Sequence, residues 1–306
     1  MPDLVGGAPG ALVTRPGHIQ YGGLLLGPGT PYRWKELPGW EDLPPLDSGT
    51  VPRPAAHGAY PGQLLAQTRT ITVEGLMVRA PRATIGAAVA ELGAGTVPVE
   101  AEMPFVVWLD ERGPLLAYAR VTRRAIPTGI GYRVGTITGA ALEFVATDPR
   151  RYELEERSAW AGLPAPEPGL DWHDEDEDAG LHWPLEFGEP GSTGTLTVTN
   201  AGSAATHPVV EFRGPVDRPS ITNVTTGDVL EYGLPLSADD VLVVDTGAGT
   251  VTLNGSTSRL YTVTARSVPE QTWTLPPGTT DLLFRAAPES ADPAARCIVH
   301  YRSAYW

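Results

Sequence analysis

Glycine and proline punctuate this chain so often, 35 and 31 times in 306 residues, that little room is left for long helices. That much turn chemistry between short apolar runs calls for many short strands, and so for a mainly β fold. Apolar residues make up 42 % of the sequence, which excludes a disordered chain. The length suits two ordinary domains, each with its own core.

The boundary between them is marked by Ala141-Leu-Glu-Phe-Val-Ala-Thr-Asp-Pro-Arg-Arg-Tyr152. The segment opens as a strand and stops at Asp148-Pro149, because proline has no N–H for the next ladder bond. Arg150, Arg151 and Tyr152 follow, and the composition then turns acidic and proline-rich. These five residues are the expected domain junction. The expected organisation is an N-terminal β domain over 1–152, a linker over 153–183 and a C-terminal β domain over 184–306. The linker holds Pro164-Ala-Pro-Glu-Pro168 and Asp171-Trp-His-Asp-Glu-Asp-Glu-Asp178, a self-repelling block typical of a solvated connector. Asp174, Asp176 and Asp178 match the first ligands of an EF-hand loop, but Ala179 and Leu185 stand where glycine and glutamate are needed. His173 and His182 have no cysteine at zinc spacing. No metal or cofactor site is expected.

In the N-terminal domain, short pieces such as Ala11–Val13, Ile19–Tyr21 and Leu24–Leu26 read as strands between tight turns. Trp34 and Trp40 lie in a segment too broken by proline to bury them within a regular element. They either cap the core or meet a neighbouring subunit, where aromatics are enriched. Thr50–Gly62, with His57 and Tyr60, is long enough to be an interaction loop. Arg69–Gly75 alternates as a strand with Ile71 and Val73 on one face. One helix is expected over Pro81–Leu92, with Ile85, Val89 and Leu92 on a stripe and Gly93 as its stop. Strands return at Val97–Ala101, Pro104–Leu109 and Leu115–Thr122, the last two as a hairpin, and a long strand over Tyr132–Thr147 closes a sandwich or barrel-like sheet.

From Thr195 onward strand and turn alternate: Thr195–Thr199, Pro208–Phe212, Val229–Glu231, Val241–Asp245, Thr250–Leu253, Gln271–Leu275, Asp281–Ala286 and Ala295–Trp306. Even spacing of short strands predicts an antiparallel sandwich of jelly-roll or galectin-like topology, with Asn254-Gly255 as a two-residue turn. Trp273 reads as core. Tyr301, Tyr305 and Trp306 can fill the core or stack on sugar rings.

The formal charge of −14 argues against general nucleic-acid binding, which rests on neutralising phosphates. Its first reading is solubility, and its alternative a surface that must not retain DNA, such as the wall of a conduit. Cys297 is the only cysteine, so no intramolecular disulfide forms. The first residues lack the pattern of a signal peptide, and no apolar run is long enough to span a membrane, so the protein is expected to be made in the cytoplasm. Gly191-Ser-Thr-Gly194 is not a nucleophile elbow, and no P-loop, zinc-protease or dinucleotide motif occurs. No catalytic residue is nominated.

The order of features carries more than any one of them. "RWKELPGW" is followed by "PRPAAHGA", "RTITVEG", one helix and "FVATDPRRY". After the linker come "NAGSAATHPVVEFRG", "VLVVD", "VTLNG" and "WTLPPGTTDLLF". Together they resemble the siphophage distal tail proteins, particularly those of phages or prophages of high-GC Gram-positive hosts. The resemblance implies a virion structural protein of the tail tip with a tail-tube-like N-terminal fold. It implies a hexameric ring joining the tail tube protein to the tail-tip hub protein, with DNA passing through. The C-terminal domain would project outward toward receptor-binding proteins or cell-wall glycan. On that reading Trp34, Trp40, His57 and Tyr60 are expected inter-subunit contacts, and Tyr301, Tyr305 and Trp306 expected glycan contacts. The competing expectations are a carbohydrate-binding adhesin and a cell-wall hydrolase.

Overall fold

The computed structural model describes residues 8–165 and 191–306. The chain forms two compact units: Met1–Leu154 with Tyr305–Trp306, and Glu155–Ala304. Both are mainly β.

The first unit contains β1 (His18–Tyr21), β2 (Leu24–Leu26), β3 (Tyr32–Arg33), β4 (Leu46–Asp47), β5 (Val51–Pro52), β6 (Ala59–Tyr60), β7 (Leu65–Ala66) and β8 (Arg69–Arg79). Then come α1 (Ile85–Gly95), β9 (Met103–Trp108), β10 (Pro114–Ala125), α2 (Ile130–Val134), β11 (Thr136–Ala146) and β12 (Arg151–Glu153). Its main sheet runs β2-β1-β9-β10-β11-β8-β3, with β12 paired to β10 and to a last strand, Ala304–Tyr305. Alternation on β8 buries Ile71 and Val73, as the sequence predicts. At Gly75, in the left-handed region at φ 61°, the phase shifts and Leu76 and Val78 turn inward instead. Tyr21, Phe105, Phe144 and Trp40 form a chain of tilted and edge-on rings at the centre of the core.

Helix α1 buries Ile85, Ala88 and Leu92 against this core. It passes through the expected stop at Gly93 and ends at Gly95. Thr96 Oγ1 donates to the Leu92 carbonyl at 2.6 Å, and Arg124 donates to the carbonyls of Gly93 and Thr96 at 2.7 and 3.1 Å. Those bonds satisfy end carbonyls that a glycine turn would otherwise serve. The expected strand over Tyr132–Thr147 begins late, because α2 occupies its first residues until Gly135, at φ 84°, ends the turn.

The second unit is a two-sheet sandwich. Its strands are β13 (Arg157–Gly162), β14 (Thr195–Asn200), β15 (Val209–Arg213), β16 (Val216–Asp217), β17 (Ser220–Asn223), β18 (Val229–Glu231) and β19 (Pro235–Leu236). They continue with β20 (Val241–Asp245), β21 (Thr250–Leu253), β22 (Thr257–Ser258), β23 (Gly278–Arg285) and β24 (Arg296–Tyr301), while the last strand, Ala304–Tyr305 (β25), pairs with β12 in the first sheet. One sheet runs β13-β24-β15-β20-β21-β22 and the other β14-β23-β17-β18. Phe212, Tyr232, Phe284 and the fully buried Trp273 fill the core of this unit.

Three expectations are corrected here. The expected linker opens with a strand: β13 pairs along its length with β24, Trp160 opposite Ile298, so residues 157–162 belong to the sandwich. The acidic block at 171–178, with His173 and His182, lies outside the described residues. Gln271–Leu275 is not a strand; Glu270–Thr272 is a 3₁₀ turn that drops Trp273 into the core, and only Leu275 bridges to Thr206. The Asn254-Gly255 turn has both residues in the left-handed region, at φ 51° and 74°. Leu253 nonetheless pairs with Thr257, so the loop holds three residues and not two.

Candidate functional site

The junction segment resolves into two oppositely directed halves. Asp148 accepts hydrogen bonds from the Arg150 amide, at 3.1 Å, and from the Tyr152 hydroxyl. Burial, reinforced by Asp148, raises the Tyr152 pKa, so the phenol keeps its proton and donates. Arg151 turns the other way, into the first unit, where its side chain is 5 % exposed. Its Nη1 stands 2.9 Å from Glu41 Oε2, its guanidinium lies 5.6 Å over the Trp40 ring, and its Nη2 donates to the main-chain oxygen of Trp306.

Beneath this lies a second, fully buried arginine. Arg69 Nε donates to the Pro149 carbonyl at 2.7 Å. Its Nη1 faces the carbonyls of Gly39, Trp40 and Asp42 at 2.7, 3.0 and 2.6 Å. Burial, with the neighbouring charge of Arg151, pulls the Arg69 pKa down to about 10, so it is still charged at neutral pH. The cradle requires glycine at position 39, where φ is 84° and a Cβ would stand 1.8 Å from the Thr70 carbonyl. β11 ends at Ala146, and the Pro149 carbonyl beyond it lies outside the ladder and accepts from Arg69. Of the five junction residues, Asp148, Arg150 and Tyr152 contact one another, while Arg151 and the Pro149 carbonyl go to Glu41 and Arg69, anchors that, like Gly39, were not nominated from sequence. A signal existed: position 69 shares the inward face of its strand with Ile71 and Val73.

Trp40 is 1 % exposed and packed against Phe105, so it is a core residue and offers no ring to a second chain. Trp34 is half-buried, its Nε1 donating to the Gly17 carbonyl at 2.8 Å. His57 and Tyr60 are exposed on an arm that replaces the expected irregular loop. Two short ladders build it, β4 with β7 and β5 with β6, each a two-stranded sheet among the described residues. Arg53 lies 5.0 Å over the Tyr60 ring. On and beside the arm Leu43, Leu46, Val51, Tyr60, Leu64 and Leu65 are all exposed, Leu43 and Leu64 at 62 %. Scattered exposed leucines are ordinary; this concentration on one projecting segment is the apolar signature of a contact surface.

The expected glycan trio is dispersed. Tyr301 is buried in the second unit, its hydroxyl accepting from the Thr199 amide at 3.1 Å. Tyr305 and Trp306 belong to the first unit, where the Tyr305 hydroxyl donates to Glu153 at 3.0 Å. Buried as it is, Tyr301 offers no stacking face.

Charge is distributed unevenly. Residues 1–154 hold fourteen Lys and Arg against fourteen Asp and Glu, whereas residues 155–304 hold eight against twenty-two. The whole excess therefore lies in the second part of the chain, nine of its acids within 166–190. Acidity is not a property of the first unit and cannot explain a DNA-repelling wall built from it.

Among the described residues no group of three or more His, Cys, Asp and Glu is placed to hold a metal, and no helix is long and apolar enough to cross a membrane. Cys297 is buried, and burial pushes its thiol pKa up, away from the reactive thiolate.

Residues 201–305 match the family model of the siphovirus-type tail component, C-terminal domain. No curated protein matches the sequence. Among solved structures, the chain is similar to phage SPP1 Dit (gp 19.1), described as a paradigm of the hub adsorption apparatus in phages infecting Gram-positive hosts. The TM-score is 0.64 at 12 % identity, over 94 % of this chain and 99 % of that one. A chain of the phage P2 baseplate in its activated conformation aligns at 9 % identity with a TM-score of 0.49, over 90 % of this chain and 93 % of that one. Residues 201–305 therefore resemble the C-terminal domain of the siphovirus-type tail component, and the chain shares the fold of SPP1 Dit along nearly its whole length.

Proposed function

We propose that this chain is the ring adaptor of a siphophage tail tip, with no catalytic role. Six copies associate through their first units, the tail tube protein adjoins the ring on one side and the tail-tip hub protein on the other, and DNA passes through the centre. The second unit carries accessory contacts to receptor-binding proteins. The protein resides in the virion.

The observation that carries this reading is the arm. Two ladders with unpaired edges and a cluster of exposed leucines make a surface suited to burial against another chain. A second copy is the occupant the tail-component family suggests, since ring components meet copies of themselves. His57 and Tyr60 on the arm are proposed contacts, with Trp34 at the half-buried margin. Trp40 supports the arm's base from within and is not proposed. Net charge balance in the first unit favours this, because close approach of several copies meets no accumulated repulsion.

Sedimentation velocity across a wide concentration range tests the arm directly. The full chain is expected to form a higher oligomer. The Leu64→Ser/Leu65→Ser double variant is expected to shift toward monomer without loss of thermal stability, since both side chains are exposed. Unchanged association in that variant would remove the arm from the interface.

A further inference from the structure

The chain has three asparagines, Asn200, Asn223 and Asn254. The first two are buried, and their amide nitrogens donate to main-chain carbonyls, of Ala204 and Leu275 for Asn200 and of Thr274 for Asn223. Asn254 differs on every count. It is exposed, stands in the left-handed region at φ 51°, and is followed by glycine. Its loop joins β21 to β22, and β22, two residues long, is the outermost strand of its sheet.

The Asn254 side chain completes a ladder that its backbone leaves unfinished. Pairing of β20 with β21 sets Leu242 opposite Leu253, so Val241 and Asn254 come next. The Asn254 main-chain amide donates to the Val241 carbonyl at 2.8 Å, as a ladder residue would. The return bond goes to the side chain instead: the Val241 amide donates to Asn254 Oδ1 at 2.9 Å. Asn254 Nδ2 donates to Asp240 Oδ1 at 2.9 Å, and Asp240 Oδ2 accepts from the Ser237 amide at 2.8 Å. The bond from Asn254, with those from Ser237, holds the Asp240 carboxyl below its ordinary 3.8, so it is an acceptor at neutral pH. Both ends of the carboxamide are therefore engaged. The next residue along is not. The Gly255 amide donates to no group, and nothing lies within 4 Å of where a Cβ would stand.

We propose that Asn254 is a site of spontaneous deamidation, and that Asp240 sets its rate by holding the leaving nitrogen. The Gly255 nitrogen gives its proton to solvent and bonds to Asn254 Cγ, an approach that no Cβ at 255 obstructs. The Cγ–Nδ2 bond breaks, and Nδ2 takes a proton from water and leaves as ammonia. The five-membered imide then adds water and opens on either side, to aspartate or to isoaspartate. One water is consumed and one ammonia released, with no oxidation or reduction. For Cγ to meet the Gly255 nitrogen the carboxamide must turn, which breaks its bonds to Asp240 and Val241. Local opening of a two-residue edge strand permits that turn. The product no longer fits the latch, because a carboxylate then faces Asp240 where an amide donated before, and like charges push β22 away from β21. All of these residues lie in the second unit, so the inference does not rest on the ring.

The full-length protein is incubated at neutral pH, natively and in urea, and mapped by peptide mass spectrometry with enzymatic methyl labelling of isoaspartate. Conversion is expected at position 254 and at neither 200 nor 223 in the native protein, and severalfold more slowly there than in urea. Asp240→Ala should raise the native rate severalfold and leave the rate in urea unchanged. Asp240→Asn, whose amide oxygen still accepts from Nδ2, should stay near the parent rate, which separates the latch from a general loss of fold. Gly255→Ala should slow conversion even in urea. N254D, which imitates one product, should speed hydrogen exchange at Thr257 and Ser258 and leave β14 and β23 unchanged. Three results would overturn the proposal. They are native conversion as fast as in urea, no native conversion long after the urea sample is complete, and an Asp240→Ala rate equal to that of the parent.

Discussion

The first unit buries two arginines, Arg69 and Arg151, whereas the second buries two glutamates, Glu231 and Glu270, and among its described residues no arginine. The partners differ as well. Arg69 reaches main-chain carbonyls at 39–42 and 149, segments far apart in sequence, and so ties loops together. The glutamates take side-chain donors: Thr264 and Arg266 for Glu231, both at 2.8 Å, and the Tyr232 hydroxyl for Glu270 at 3.1 Å. A guanidinium can donate in several directions at once, and loops offer carbonyls; a carboxylate needs donors that its neighbours must supply. The first unit therefore uses buried Arg69 to tie the turn after its long strand β11 to the loop at 39–42. The sandwich rests mainly on its apolar core.

Substitutions at these groups should separate the two cases. Arg69→Ala is expected to have the largest effect, destabilising the first unit by about 3–5 kcal/mol, because it strands four carbonyls around an empty cradle. Denaturant unfolding measures it, and a loss below about 1 kcal/mol would deny the cluster its structural role. Glu270→Gln should cost about 1 kcal/mol or less, since the amide oxygen still accepts from Tyr232; a loss as large as that of Arg69→Ala would erase the contrast.

The smallest effect is pH-linked. Burial alone would raise the Glu41 pKa, but the hydrogen bonds with Arg151 and Arg112 and their charges outweigh it and hold the carboxyl below its ordinary 4.5. A carboxyl depressed in the folded state contributes stability above its unfolded pKa and loses it as pH falls through the folded value. The first unit should thus weaken below about pH 4.5, and Glu41→Gln should flatten that acid-side loss. Thermal melts between pH 3 and pH 7 would show it, and an unchanged acid slope in the variant would exclude Glu41 as a cause.

Much of the strand pattern was legible because alternation and turn residues act locally. Val229–Glu231, Val241–Asp245 and Thr250–Leu253 were read to the residue. What escaped was set by contacts distant in sequence. Helix α1 overran Gly93 because Arg124, thirty-one residues on, caps its end. Gln271–Leu275 alternates like a strand, yet the depth of the Trp273 pocket turns its start into a 3₁₀ turn. β13 was hidden by its surroundings: Glu155, Glu156 and the following prolines read as connector, and only pairing to β24 makes Arg157–Gly162 a strand. The candidate surfaces followed the same rule. The junction segment stood out by composition, but its anchor Arg69 needed the inward alternation of β8 to be taken seriously. Tyr301, Tyr305 and Trp306 look like one aromatic group only in sequence.

The central claim, that the first unit assembles with copies of itself around an opening, is tested most directly by electron microscopy of the purified full-length chain at the concentration where it oligomerises. The account predicts ring-shaped particles whose class averages show six-fold symmetry and an open centre. Particles that remain single chains at every concentration, or closed assemblies with no central opening, would contradict it.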